Sequence, residues 1–506
     1  VWSIFEDQAG ILWIGTADGI NRLDLENKRF YHIRNQPDND NSLLNNNVWT
    51  FLEDKKEGVF WIGTSDGLDK FNPKTKTFTH YTAIRNDPKT LNNRNVWTLA
   101  QDPQNPDILW VGTWGGGLNK FNKKTETFKE FMTIENDSTS LSNNFVKTLF
   151  FDSENTLWVG TLVRLNKFNK EKGNFVRYMK DKDNPKAISD NFIYSFYEDS
   201  RNNFWVGTRR GGLNKMDRNT GQFVHYQHQP DNPKSLNNNT IRVIHEDKAG
   251  SFWIGTTGGL NLFDRDKEEV TKIYTERDGL PNNTIYGLLE DEYGNLWMST
   301  NIGISKFDPK TRQFDNYDES DGLQSNEFNG GAFYKNSKGE MFFGGINGFN
   351  VFKPGEITDN SYRPPVKITD FLILNKSVPL GKAVDGRTIL EKHISQTKNI
   401  VLSYKDYVFS FEFASLHYAS PENNRYAYMM EGFDEDWNHS DANRRFATYT
   451  NLDPGDYVFK VKGTNCDGVW SEEVAGIAIE IEPPFWQTWW FRLLVAAFII
   501  GSAVSF

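Results

Sequence analysis

The chain has 506 residues, a formal net charge of −10, 15% aromatic residues, 40 glycines and one cysteine. The length exceeds one ordinary domain. The acidic balance argues against a general nucleic-acid binder, and a lone cysteine, Cys466, excludes an internal disulfide.

The first residue is Val1 rather than Met, and a strand-like pattern is already under way there. The chain therefore reads as a piece of a longer protein, in which the lack of a visible leader says nothing about location. An aromatic followed by a small-residue turn then returns along the chain. It reads LWIGT at 12–16, FWIGT at 60–64, LWVGT at 109–113 and 157–161, FWVGT at 204–208 and FWIGT at 252–256. LWMST at 296–300 and MFFGG at 341–345 are degraded copies. The tryptophans at 13, 61, 110, 158, 205, 253 and 297 are separated by 48, 49, 48, 47, 48 and 44 residues. Such regularity marks tandem repeats.

Each unit reads as four strands. In the unit that starts at Val48 these are VWTFLED, FWIGT, GLDKFN and TFTHY. A short Gly turn follows the second strand, a Lys/Thr turn follows the third, and a longer Asn/Asp/Pro/Ser link leads to the next unit. Four short antiparallel strands make one propeller blade, and stacking blades in a ring buries both faces of each. An open solenoid is the alternative. Eight units are visible, and the eighth lacks a clear fourth strand. Seven blades closing, with the first unit standing apart, is preferred over a ring of eight. The expected propeller spans 1–355.

Strand one ends in acid: Glu6-Asp7, Glu53-Asp54, Glu198-Asp199, Glu246-Asp247 and Glu290-Asp291. Paired carboxylates can do acid–base chemistry, but an active site does not recur in every repeat. The Asp, six residues before the Trp in most copies, is read as a turn cap. The tryptophans are read as blade packing, the Gly of each GT pair as a point of close approach, and the Asn runs as caps entering strand one.

Function is expected where the repeat varies on one face. In an up-and-down blade the turn after strand two and the link before strand one open on the same side. The residues after GT are Asp18, Asp66, Trp114, Arg164, Arg209, Arg210, Thr257 and Asn301. Arg94, Phe145, Phe192 and Arg242 start nearby first strands. An aromatic plate beside guanidinium groups suits a sugar with an acidic group, or another polar ligand. The candidate ligand residues are thus Trp114, Arg164, Arg209, Arg210, Asp18, Asp66, Arg94 and Asn301. No catalytic residue, cofactor or metal ligand is expected.

After Phe352 the rhythm stops, and Pro364-Pro365 marks a boundary. Seven or eight strand-like segments with Gly/Pro/Asp turns then read as an immunoglobulin-like β-sandwich over 364–482. Tyr426, Tyr428, Tyr449 and Tyr457 are expected in its core or corners. The tail PPFWQTWWFRLLVAAFIIGSAVSF puts Trp486, Trp489, Trp490 and Arg492 before an uncharged run. It reads as an interfacial belt and the start of a transmembrane helix over 485–506.

Units such as VWTFLEDKKEGVFWIGTSDGLDKFNPKTKTFTHY resemble the two-component regulator propeller repeat. RYAYMMEGFDEDWNHSDANRRFATYTNLDPGDYVFKVKGTN resembles the triple-tyrosine domain that follows such propellers. The whole order resembles the periplasmic sensor region of a Bacteroides-type hybrid two-component system. That resemblance implies a sensor anchored in the inner membrane, sensing oligosaccharides from polysaccharide breakdown and controlling transcription through kinase and receiver domains further along. It implies no catalysis in this segment and supplies no residue-level ligand motif. An oligosaccharide or other small polar ligand, the membrane and a second copy of the chain are the expected partners, with no nucleic acid for this segment. A scaffold binding protein or peptide, and a propeller lyase or glycosidase, are the competing readings.

Overall fold

In the computed structural model, which describes residues 1–24, 30–84, 87, 89–358, 360–384 and 386–504, two compact units are found. One is Lys28–Ile357. The other is Val1–Asn27 with Thr358–Phe506.

The first unit is a seven-bladed propeller. Six blades are four-stranded antiparallel sheets in simple sequence order, from Val48–Asp54 through Gln313–Tyr317. The seventh takes Phe328–Lys335, Met341–Gly345 and Gly348–Phe352 from the end of the unit, and Tyr31–Ile33 from its beginning. The missing fourth strand of the last repeat is therefore supplied by the first. Phe349 pairs with Ile33 and Val351 with Tyr31, so hydrogen bonds close the ring. The first strands neighbour one another in turn, and Phe328–Lys335 lies beside Val48–Asp54. Each blade keeps only short edges, its first strand towards the channel and its fourth at the outside.

The repeated residues hold this architecture. Trp61, Trp158, Trp205 and Trp297 are among the largest fully buried side chains. Asp152, Asp199, Asp247 and Asp291 each accept from two turn N–H groups and from the indole six residues later, as with Trp205 Nε1 donating to Asp199 Oδ2 at 2.9 Å. Where the turn is longer, Asp54 and Asp102 cap it but leave the indoles of Trp61 and Trp110 without a partner. The neighbouring Glu ties blade to blade. Glu198 accepts from Ser153, Glu246 from Ser200, and Glu53 from Ser337, the last joining blade one to blade seven. The GT glycines make room for the next blade: a Cβ on Gly112 would sit 2.6 Å from Val146 Cγ1. The Asn runs cap the link, as in Asn47 N–H donating to Asn45 Oδ1 at 2.7 Å.

The expected span of 1–355 differs at its start. Ser3–Glu6, Ile11–Thr16 and Gly19–Asp24 form a three-stranded sheet of their own, grouped with the sandwich. Ala9 and Ile11 cluster with Ala419, Trp13 and Tyr362, and the Trp13 and Tyr418 rings meet edge to face at 5.7 Å. The fourth strand of this repeat belongs to the other unit, which is why the sheet stays incomplete. Asp18 stands exposed on the hairpin of that sheet and is not a residue of the propeller rim.

The sandwich packs two sheets. One orders Lys376–Ser377, Val366–Ile373, Val408–Ser415 and Phe446–Thr450. The other orders Asn399–Ser403, Ala475–Glu482, Gly455–Gly463, Arg425–Glu431 and Asn438–Asp441. Phe371, Phe411, Phe413 and Phe459 fill its core. Tyr426 is buried, Tyr449 donates to Asp434 at 2.9 Å, and Tyr457 donates back to the Asp453 carbonyl at 3.0 Å, a corner contact. A helix covers Trp489–Val504. Among the described residues no helix is long and apolar enough to cross a membrane.

Candidate functional site

Five of the seven first strands carry a β-bulge at their second residue. In blade one Val48 pairs with Thr64 and Thr50 with Gly63, leaving Trp49 between them. The same shift isolates Trp97, Lys147, Tyr194 and Arg242 in the next four blades. A bulge breaks alternation and re-aims one side chain. Here it turns these residues away from the blade interface and into the central channel. Tyr286 and Asn329 hold the same place, after buried Ile285 and Phe328, in blades six and seven. The seven positions are therefore Trp, Trp, Lys, Tyr, Arg, Tyr and Asn, while their flanking residues repeat.

These side chains line a cavity of about 350 Å³ at the channel mouth, within the usual range for small-molecule sites. A second space of about 360 Å³ continues beneath it and shares Trp97, Lys147, Tyr194 and Arg242. Three indoles form one shelf. Trp49 stacks on Trp97 at 4.2 Å, and Trp97 on Trp114 at 3.8 Å, with interplanar angles of 18° and 16°. Phe145 abuts Trp114 edge-on at 5.1 Å. The shelf is pinned by Trp49 Nε1 donating to Ser65 Oγ and Trp97 Nε1 donating to Asn95 Oδ1. Three cations stand beside these neutral rings. The Lys147 ammonium lies 4.5 Å from the Trp97 ring centre and donates to the Gly330 carbonyl at 3.0 Å. The Arg242 guanidinium lies over Tyr194 at 4.4 Å and near Tyr286 at 5.2 Å. Arg209 sits over Phe192 at 5.3 Å. Burial, reinforced by the neighbouring Arg242 charge, brings the Lys147 ammonium down to about 7.

Of the residues expected from sequence, Trp114, Arg209 and Asn301 line this cavity, as do Phe192 and Arg242. Asp66 faces Arg94 at 3.5 Å and accepts from Asn45 at 2.6 Å. That exposed pair is a rim contact of small energy. Thr257 donates to Asn238, and the Arg210 backbone N–H donates to Asp190. Arg164, Arg210, Asp66, Arg94 and Thr257 do not line the cavity. Trp49, Trp97, Lys147, Tyr194 and Tyr286 escaped the sequence reading. Their signal was present as a single variable position after a constant aliphatic at the head of strand one. Among the described residues no cluster of three or more His, Cys, Asp or Glu side chains could hold a metal ion.

Comparison with known proteins places these observations. The family described as Two component regulator propeller matches at 1–18, 42–66, 140–162, 187–210, 235–258 and 279–301. The Y_Y_Y domain matches at 417–482. Histidine kinase P4 from Formosa agariphila is 39% identical over 194 residues, 38% of this chain and 14% of that protein. The crystallised extracellular domain of the hybrid two component system BT3049 from B. thetaiotaomicron is 27% identical. It aligns with a TM-score of 0.78 over 95% of this chain and 61% of its own. PorZ, a surface component of the type-IX secretion system of Porphyromonas gingivalis, is 12% identical with a TM-score of 0.50 over 93% of this chain and 62% of its own, a likeness of fold alone. The chain thus spans less than two thirds of both the kinase and the BT3049 domain. It is made of two component regulator propeller repeats followed by a Y_Y_Y domain, an architecture shared with the extracellular domain of a Bacteroides hybrid two-component system.

Proposed function

We propose that this chain is the extracellular ligand-sensing segment of a membrane two-component sensor, and that an oligosaccharide or similar small polar ligand docks at the channel mouth. The observation that carries this reading is the shelf of three stacked indoles beside Arg209, Arg242 and Lys147. Flat aromatic faces pack against the apolar face of a sugar, while guanidinium and ammonium groups bond its oxygens. A ligand shifts a two-state sensor only by its differential affinity for the two states. On this reading the ligand favours one arrangement of two copies on the periplasmic side. The sandwich and the apolar Trp489–Val504 segment, seated at the inner membrane, relay that preference to a kinase that controls transcription.

Calorimetry of the full chain against neutral and acidic oligosaccharides tests the site. Binding that Trp97→Ala or Arg209→Ala weakens by about tenfold or more is the expected result. The assignment fails if no oligosaccharide binds and both variants signal normally in cells. Capture of a peptide or protein at the same mouth would replace it with the scaffold reading, and turnover of a glycan would replace it with the enzyme reading.

A further inference from the structure

Arg242 and Lys147 come from blades five and three yet share both halves of the channel. Lys147 is 9% exposed. Its one hydrogen bond goes to a neutral carbonyl, that of Gly330. Arg242 Nε is buried without a hydrogen-bond partner. Among the described residues neither cation has a carboxylate within ion-pair distance, whereas the partly buried Arg218 and Arg265 lower in the ring are each bridged to two acids. Cations drawn out of water without an anion are costly, so buried Lys147 beside partly buried Arg242 favours a negative group in the channel.

Building on the sensor reading above, we propose that Lys147 and Arg242 form an anion seat inside the channel. It takes a carboxylate or sulfate group of the ligand while the sugar lies on the indole shelf. Binding above neutral pH draws up to about one proton from solvent onto the Lys147 amine. The free ammonium sits near 7 because burial and Arg242 oppose its charge, and the attraction of an anion alongside offsets that penalty. The other charged or titratable groups facing the site are Arg209, Tyr194, Tyr286, Glu327 at the head of blade seven, and Tyr197 and His245 deeper in the channel. Substitution at Lys147 leaves all of these in place, so its contribution can be read alone.

The test compares a uronate-bearing, a sulfated and a neutral oligosaccharide of equal length, by calorimetry of the full chain in buffers of different ionisation enthalpy. Both acidic ligands are expected to bind at least about tenfold tighter than the neutral one. Proton uptake should approach about one per ligand near pH 8 and shrink towards pH 6. Lys147→Met should remove the uptake and most of the acidic preference. Lys147→Arg should keep the preference and lose the uptake. The proposal is overturned if neutral and acidic ligands bind alike, or if uptake survives Lys147→Met. Should no saccharide bind at all, the sensor-ligand reading fails, and inorganic sulfate still probes the seat. At fixed ionic strength, sulfate should change the fluorescence of the indole shelf saturably in the native chain and not in Lys147→Met. Equal responses to sulfate and chloride would overturn the seat as well.

Discussion

Each first strand of the propeller has two ends built under opposite rules. At the lower end an Asp recurs in six blades, preceded by a Glu in four of them, and the copies share their work. The Asp closes a turn and, where the turn is short, clamps an indole, while the Glu ties its blade to the one before. At the upper end a bulge frees one side chain from packing, and the residues there all differ in use: an aromatic shelf, a buried amine, a guanidinium over tyrosine rings. The difference teaches where selection for shape ends. A position that must fit a neighbouring blade repeats, and a position that faces only the channel is free to carry chemistry.

Four substitutions break or sharpen that contrast. The largest loss of stability belongs at the lower end. Trp205→Ala removes a fully buried indole and should cost about 3–5 kcal/mol in urea unfolding. A smaller effect divides His245, the next inward-facing level of the channel, from the bulge residues above it. Burial holds its imidazole down to about 4, so the folded chain binds fewer protons than the unfolded one between pH 6.5 and 4. Its contribution is intact above the ordinary imidazole range and is lost as pH falls through about 4, by about 2–3 kcal/mol. His245→Gln should flatten that part of the stability–pH curve relative to the native chain. At the upper end, Trp97→Ala should change unfolding free energy by only about 1–2 kcal/mol, because the indole is only partly buried, while weakening ligand binding by about tenfold or more. Arg210→Ala, outside the cavity, should move stability by less than about 0.5 kcal/mol and leave affinity unchanged. A large stability loss from Trp97→Ala, or a binding loss from Arg210→Ala, would dissolve the distinction between the two ends.

The scaffold was legible because its demands recur. The spacing of the tryptophans and the Glu-Asp endings mark blades, and the eighth unit's missing strand pointed to seven. The sandwich showed in its turn residues and tyrosines. The site was legible only in part. Trp114, Arg209 and Asn301 stand in turns whose direction follows from blade topology. Tyr286 stands just before its first strand, whereas Trp49, Trp97, Lys147 and Tyr194 lie at the head of theirs, where simple alternation assigns them to a face between blades. Only the bulge, a backbone feature without a residue signature of its own, turns them inward. Asp18 was misplaced for a different reason: its repeat gives its last strand, Tyr31–Ile33, to another sheet.

That shared strand also governs the order of folding. A chain made from its first residue onward holds the clasp of the ring long before the blade it fastens exists. Residues 31–33 must wait, unpaired, for residues 349–351. Six blades can form as neighbours by local contacts, but the circle closes through pairing at the greatest separation in the unit, and long-range pairing is slow. Until then the Gly348–Phe352 edge of blade seven and the Tyr31–Ile33 segment stay open to other strands.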